Sequence, residues 1–113
     1  MRSWLPASLM LCLLASSCAA PARTLTVSAA ANMQGALNEI ALEFEKNTGT
    51  HVAINYGSTG TLSQQIAQGA PVDLFIAADR SSVEGLATRG IIISDTVQLY
   101  ARGQIAIYTT RAN

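Results

Sequence analysis

Two short segments of the chain carry hydroxyl and amide side chains and no charged residue. Ser28 to Met33 contains Ser28 and Asn32, and Gly57 to Thr61 contains Ser58, Thr59 and Thr61. Each segment follows a predicted strand and precedes a predicted helix, whose first backbone N–H groups have no acceptor within the helix. Such N–H groups and the positive end of the helix dipole stabilise an anion without a cationic side chain. The two segments therefore predict a site for a fully ionised oxyanion.

The same residue types also have a purely structural interpretation. Ser, Thr and Asn are the usual capping residues at the amino ends of helices, and glycines such as Gly57 and Gly60 are usual in turns. The residue types by themselves leave both interpretations open.

Few residues of the chain are suited to catalysis or metal binding. The single His51 opens a predicted strand, away from the strand end where a general base would be needed, so we expect a surface role for it. The carboxylates that could hold a metal are Asp73, Asp79, Glu84 and Asp95. Of these, Asp79 is more simply explained as a helix-start residue beside Ser81. The chain has neither a GxGxxG motif nor the Gly-Lys pair of a phosphate-binding P-loop, and we predict neither an enzyme nor a cofactor.

Strands and helices are predicted to alternate along the chain. The predicted strands are 24–30, His51 to Tyr56, Val72 to Ala77 and Gln104 to Thr109. The first predicted helix has an apolar stripe of Leu37, Ile40, Ala41 and Phe44, and the second spans Thr61 to Gln68. The third begins at a capping box of Ser81 and Glu84 and ends at Gly90. The almost continuous apolar run of the third strand predicts burial on both of its faces. This order predicts an α/β fold with a mainly parallel sheet and helices on both faces.

Composition excludes several classes of partner. Of 113 residues, 50% are hydrophobic and 12% are charged, which rules out general disorder. Seven Lys and Arg balance seven Asp and Glu, so no basic stripe is available for a nucleic acid or an anionic membrane surface.

The amino end is typical of an export signal. Arg2 precedes a leucine-rich segment over residues 5–14, which is too short to span a bilayer, and Ala20-Pro21-Ala22 is a cleavage site of the A-x-A type. We therefore predict a signal peptide over residues 1–22 and a folded region over 23–113. The alternative is a lipoprotein acylated at Cys18, although Ala15 is smaller than the residue usual at that position.

Export with cleavage after Ala22 is the first testable prediction. Mass spectrometry of the extracytoplasmic protein should find a chain that begins at Arg23 and holds no cysteine, since both cysteines lie within the first 18 residues. A diacylated Cys18 at the amino terminus would instead establish a lipoprotein, and an intact Met1 would contradict both.

Several stretches of the chain carry a family resemblance. They are Leu25-Thr-Val-Ser-Ala-Ala-Ala-Asn, Phe44-Glu-Lys-Asn-Thr-Gly, Gly57-Ser-Thr-Gly-Thr-Leu, the segment from Gln65 to Asp79, and Gly103-Gln-Ile-Ala-Ile-Tyr. The most specific part is Gln-Gly-Ala-Pro-x-Asp-x-Phe-x-x-Ala-Asp, which begins at Gln68. On these motifs the chain resembles the periplasmic molybdate-binding proteins of ABC transporters, in the type II periplasmic binding protein class.

The resemblance implies two lobes that close over a molybdate or tungstate dianion, held by hydroxyl and main-chain N–H groups without a counter-cation. When the family's ligand contacts are transferred to the matching positions of this chain, they fall on Asn32, preceded by Ala31, and on Thr59, with Ser58 adjacent. The family usually has a hydroxyl residue where this chain has Asn32, although some members have Asn. It also implies a periplasmic protein that delivers its anion to a membrane permease. The family's second lobe would follow the strand at 104–109, so the chain is expected to be a first lobe that ends at this crossover strand.

Three other functions compete with this hypothesis. One is the effector-sensing domain of a transcriptional regulator, which shares the lobe architecture, but a regulator stays in the cytoplasm and the export signal argues against it. Another is a non-binding remnant of the transporter component. A secreted enzyme of flavodoxin-like topology is the third, for which the sequence offers neither a nucleophile nor a cofactor loop.

Overall fold

The computed structural model describes residues 23–108 and residue 110, which form an α/β fold around a three-stranded parallel sheet. The strands are β1 (Thr24–Ala30), β2 (His51–Gly57) and β3 (Leu74–Ile76), and the helices are α1 (Gln34–Thr48), α2 (Thr59–Ala67) and α3 (Arg80–Thr88). Short 3-10 turns lie at Ala31–Met33 and Ser94–Thr96. The predicted alternation of strands and helices is thus confirmed as far as β3 and α3. None of the helices in these described residues is long and apolar enough to cross a membrane.

Strand β1 lies at the centre of the sheet, in the order β2-β1-β3. Its last residue, Ala30, is directly opposite Gly57 of β2, and Ala29 is opposite Ile76 of β3. Because all three strands are parallel, their carboxyl ends meet at one edge of the sheet.

Helices cover both faces of the sheet, as predicted. Val27 and Ala29 on one face of β1 are buried against Leu37 of α1. Ala30 points to the opposite face, since side chains alternate along a strand. Gly57 is its partner in register, and a Cβ atom added to Gly57 would lie 3.2 Å from the Leu62 side chain of α2. Helices α1 and α2 therefore pack on opposite faces.

The apolar stripe predicted for α1 is only partly buried. Leu37 is buried and Ala41 is half-buried, but Ile40 and Phe44 are 59% and 41% exposed. The helix meets the sheet along a single row of residues four apart, which runs from Leu37 through Ala41 to Glu45. A sheet this narrow contacts one row of the helix, and the neighbouring apolar positions are left outside.

Strand β3 is shorter and less buried than predicted. It covers Leu74–Ile76 rather than residues 72–77. Leu74 is 46% exposed, although the almost continuous apolar run of this segment predicted burial on both faces. That prediction was wrong because β3 pairs only with β1 among the described residues, so it is an edge strand.

Asp73 connects the start of β3 to β1. Its Oδ2 accepts a hydrogen bond from the Thr26 N–H at 2.8 Å, and its own N–H donates to the Thr26 carbonyl at 2.9 Å. The carboxylate thus takes the place of a strand carbonyl at a position where the ladder has not yet formed. This role explains the acidic residue in the otherwise apolar segment that was predicted as the third strand.

Asp73→Ala should lower the free energy of unfolding by about 1 kcal/mol, because the Thr26 N–H loses its acceptor. Urea denaturation of the purified chain measures the change. Asp73→Asn keeps an acceptor oxygen and is expected to retain most of the stability. Equal loss in both variants would show that the charge matters rather than the hydrogen bond.

The capping box predicted from Ser81 and Glu84 is wrong. Asp79 is the N-cap of α3, and its Oδ1 accepts from the Ser82 N–H at 2.8 Å. Glu84 instead pairs with Arg80 one turn earlier, at 2.6 Å. An ionised carboxylate is a stronger acceptor than a serine hydroxyl, so the helix begins two residues earlier than predicted. The alternative assignment of Asp79 as a helix-start residue is confirmed.

The strand predicted at Gln104 to Thr109 is absent from the described part of that segment. Residues 104–108 form no strand, and Ile105, Ile107 and Tyr108 are 99%, 98% and 86% exposed; Thr109 lies outside the described residues. The alternation of Ile105 and Ile107 marks one apolar face, but a strand also needs a neighbour to accept its hydrogen bonds. None of the described strands lies beside it.

His51 has the surface role predicted for it. It opens β2 with 66% of its side chain exposed, and its Nδ1 lies 2.7 Å from Glu45 Oε1. The Val52 N–H donates to the same oxygen at 2.6 Å, and this bond, with the smaller effect of His51, holds the pKa of Glu45 below its usual value. The pair fastens α1 to the start of β2, at the end of the sheet opposite the predicted site.

Candidate oxyanion site

The four predicted ligand residues lie together at the carboxyl edge of the sheet. Ala31 and Asn32 follow Ala30 directly, and Ser58 and Thr59 follow Gly57. Because Ala30 and Gly57 are opposite each other in register, these two segments leave the sheet side by side. The loop from Ala77 to Asp79, after β3, reaches the same edge.

The amino end of α2 supports the structural interpretation for Ser58. This residue is the N-cap, and its Oγ accepts from the Thr61 N–H at 3.1 Å and lies 2.7 Å from Thr61 Oγ1. The hydroxyls of Ser58 and Thr61 carry two protons. One forms the hydrogen bond between the two oxygens, and the other can donate to a further acceptor. The N–H groups of Thr59 and Gly60, in the first turn, have no acceptor among the described residues.

Thr59 differs from the other three residues because it is buried, with 9% of its surface exposed. Its Oγ1 accepts a hydrogen bond from the Ala78 N–H at 3.0 Å, which joins the start of α2 to the loop after β3. The proton of the same hydroxyl has no acceptor among the described residues. The hydroxyl proton is therefore free to donate to an acceptor that a ligand supplies at this edge.

Asn32 does not cap a helix. It lies within the 3-10 turn Ala31–Met33, and neither this turn nor α1 has a side-chain cap at its amino end. Within the described part of the chain, its exposed amide makes no hydrogen bond. The capping interpretation therefore fails for Asn32, and the amide of Asn32 remains a free donor beside the α2 start.

The electrostatics of this edge suit an anion held by neutral donors. The first turns of α1 and α2 contain no acidic residue. The nearby carboxylate of Asp79 accepts from the Ser82 N–H and from the hydroxyls of Ser81 and Ser82, and these bonds hold its pKa below the usual value. Asp79 thus stays ionised, with its charge bound to the amino end of α3.

Within the described residues, no three potential metal ligands come together, so the structure does not assemble Asp73, Asp79, Glu84 and Asp95 into a metal centre. Two shallow grooves flank α1, one against β2 and one over Ile40 and Phe44, and neither includes a residue of the carboxyl edge. Both grooves thus lie away from the four predicted ligand residues. Sequence reasoning missed Ala78, since an alanine gives no sign that its backbone N–H orients a hydroxyl.

Comparison with known proteins decides the family. The model of the family described as bacterial extracellular solute-binding protein matches residues 25–113. The chain belongs to this family. Among individual members, it is 36% identical over 95 residues to the molybdate-binding protein ModA of Azotobacter vinelandii, covering 84% of this chain and 38% of that protein. It is 34% identical over 89 residues to ModA of Escherichia coli K12, covering 79% of this chain and 35% of that protein.

Solved structures of solute-binding proteins agree with these relatives. The A. vinelandii periplasmic molybdate-binding protein superposes with a TM-score of 0.57 at 42% identity, over 58% of this chain and 29% of that one. A substrate-binding domain from Clostridium difficile gives a TM-score of 0.63 at 40% identity, over 65% and 32%. The chain thus spans somewhat more than a third of the length of these two ModA relatives. The resemblance noted from the sequence motifs is confirmed, and these matches favour neither a regulator domain nor an enzyme.

Proposed function

We propose that this solute-binding protein supplies the first half of a molybdate site in an ABC importer. The observation that carries the proposal is the hydroxyl of the buried Thr59, whose proton has no acceptor within the described chain. This hydroxyl lies at the carboxyl edge of the sheet, beside other neutral donors. The molybdate-binding relatives support the choice of ligand. Tungstate, with the same tetrahedral shape and charge, is an equally good fit to this donor set.

A fully ionised oxyanion has only acceptor atoms, and the carboxyl edge offers several donors that make no hydrogen bond to the described residues. These are the Thr59 hydroxyl, the N–H groups of Thr59 and Gly60, the Asn32 amide, and the remaining proton of the Ser58 and Thr61 pair. The family resemblance adds the main-chain N–H of Ala31. No lysine or arginine lies in either segment, so these donors hold the anion by hydrogen bonds without an ion pair. Release to a transporter then requires no ion pair to be broken.

The location and partners follow from the same proposal. The chain is exported to the periplasm under the direction of residues 1–22, which lie outside the described residues, or is held there by a lipid on Cys18. Residues 23–113 form part of a binding lobe that delivers the anion to the membrane permease of the importer. Binding and release of an unchanged anion need neither a catalytic group nor a cofactor.

A chimera tests this function directly. Residues 25–108 of this chain would replace the matching segment of the A. vinelandii molybdate-binding protein, so that the remainder of that protein supplies the rest of the site. Isothermal titration calorimetry should then detect molybdate and tungstate binding at 1:1 stoichiometry. A chimera that melts cooperatively and binds neither anion would overturn the proposal, and the intact relative serves as the positive control.

A further inference from the structure

We propose that Tyr100 strengthens the Thr59 hydroxyl as an anion donor through a relay across the peptide group between Ala77 and Ala78. The inference rests on the proposed function, because it concerns the same site. It assigns a positioning role to a residue outside the site and to a backbone amide that the sequence motifs do not mark.

The relay consists of two consecutive hydrogen bonds joined by one peptide group. The Tyr100 hydroxyl donates to the Ala77 carbonyl at 2.9 Å. The N–H of Ala78, which belongs to the same peptide group, donates to Thr59 Oγ1 at 3.0 Å. Tyr100 and Thr59 are thus connected through four atoms of a planar, conjugated unit.

The direction of these bonds determines what the relay does. A donor at the carbonyl oxygen polarises the amide, and a polarised N–H is a better donor in its turn. Thr59 Oγ1, by accepting from that N–H, becomes a better donor through its own proton. Every bond of the relay therefore runs from Tyr100 towards the anion and strengthens the next.

The relay also fixes where the Thr59 proton points. The Ala78 N–H occupies one lone pair of Oγ1, so the proton must lie in another direction. Threonine is stiff about χ1, and Thr59 is buried, which leaves the oxygen little freedom. On the next residue, Asp79 is held by the Ser82 N–H at 2.8 Å, so the loop has an anchor on each of three successive residues.

Tyr100 has no other evident reason to be close to this loop. It lies 23 residues beyond Ala77 in a segment without regular structure, and its side chain is 52% exposed. Its hydroxyl is committed to the carbonyl, so it does not act as a ligand itself. Tyr108 offers a matched control, since it is 86% exposed and its hydroxyl makes no hydrogen bond within the described residues.

The first arm of the test uses the full chain without any anion. In Tyr100→Phe, the Ala78 amide proton should move upfield in the NMR spectrum and exchange faster with solvent, because the carbonyl loses its donor. Tyr108→Phe should leave both quantities unchanged. An Ala78 amide that responds equally to the two substitutions, or to neither, overturns the relay whether or not the protein binds molybdate.

The second arm measures molybdate affinity in the chimera. We expect Tyr100→Phe to weaken molybdate binding by about 1.3-fold to fourfold, because the variant keeps every hydrogen bond to the anion and loses only the cooperative strengthening of the Thr59 bond, about 10–30% per bond. In a Thr59→Val background the same change should have no further effect, since the relay then has no end point. Additive effects would show that Tyr100 acts only on overall stability and would overturn the inference. A wild-type chimera that binds no molybdate would instead count against the proposed function.

Discussion

Thr59→Ala is expected to weaken molybdate binding by about 1–3 kcal/mol in the chimera, which is the cost of leaving a buried polar group without its partner. The substitution removes the hydroxyl of the buried member of the four predicted ligand residues. In the chimera, the second lobe that the family resemblance implies is expected to exclude water, which then cannot replace the lost hydrogen bond. Calorimetric titration of the variant and the wild-type chimera measures the difference.

Two controls separate this effect from a loss of structure. Thr59→Ser keeps the hydroxyl and should bind nearly as well as the wild type, since its oxygen can still accept from Ala78. Ser63→Ala removes a half-buried hydroxyl from the same helix that makes no hydrogen bond within the described residues, and should have no effect. Unchanged affinity in Thr59→Ala would mean that Thr59 only joins α2 to the loop after β3, as the structural interpretation holds.

The sequence predicts the positions of the first three strands and the first three helices well because each depends on local patterns. Alternation in β1 and the i, i+3, i+4, i+7 spacing in α1 are patterns among residues close together in the sequence. What failed depends on neighbours that a local pattern cannot contain. Ile40 and Phe44 are exposed because the sheet is narrow, and Ile105 and Ile107 are exposed because no described strand lies beside them.

The candidate site shows the same division. Residue types and their places after two strands predicted a cluster of neutral donors, and the register of Ala30 with Gly57 brings those segments together. The sequence could not distinguish the roles within the cluster. Ser58 caps a helix, Asn32 caps none, and Thr59 accepts a bond from a backbone amide 19 residues away. These roles depend on the geometry of each hydrogen bond, and the identity of a residue does not determine that geometry.

The remaining prediction concerns residues 23–113 on their own, which should bind molybdate weakly or not detectably. Ala31, Asn32 and Ser58 are exposed, so in the isolated chain water competes for the anion at most of the donors. Neutral hydrogen bonds formed in competition with water contribute only about 0.5–1.5 kcal/mol each. A few such bonds do not offset the hydration of a dianion when no cation takes part.

The same isolated chain should also be marginally stable and prone to associate. Ile105 and Ile107 are almost fully exposed, and Ile40 and Phe44 leave an apolar patch on α1. Sedimentation velocity across a range of protein concentrations measures the association, and titration of the monomeric fraction with molybdate measures the affinity. The intact A. vinelandii protein and the chimera provide the tight-binding references. Submicromolar binding by a monomer of residues 23–113 would contradict the prediction and show that the donors of this one edge suffice to remove water from the anion.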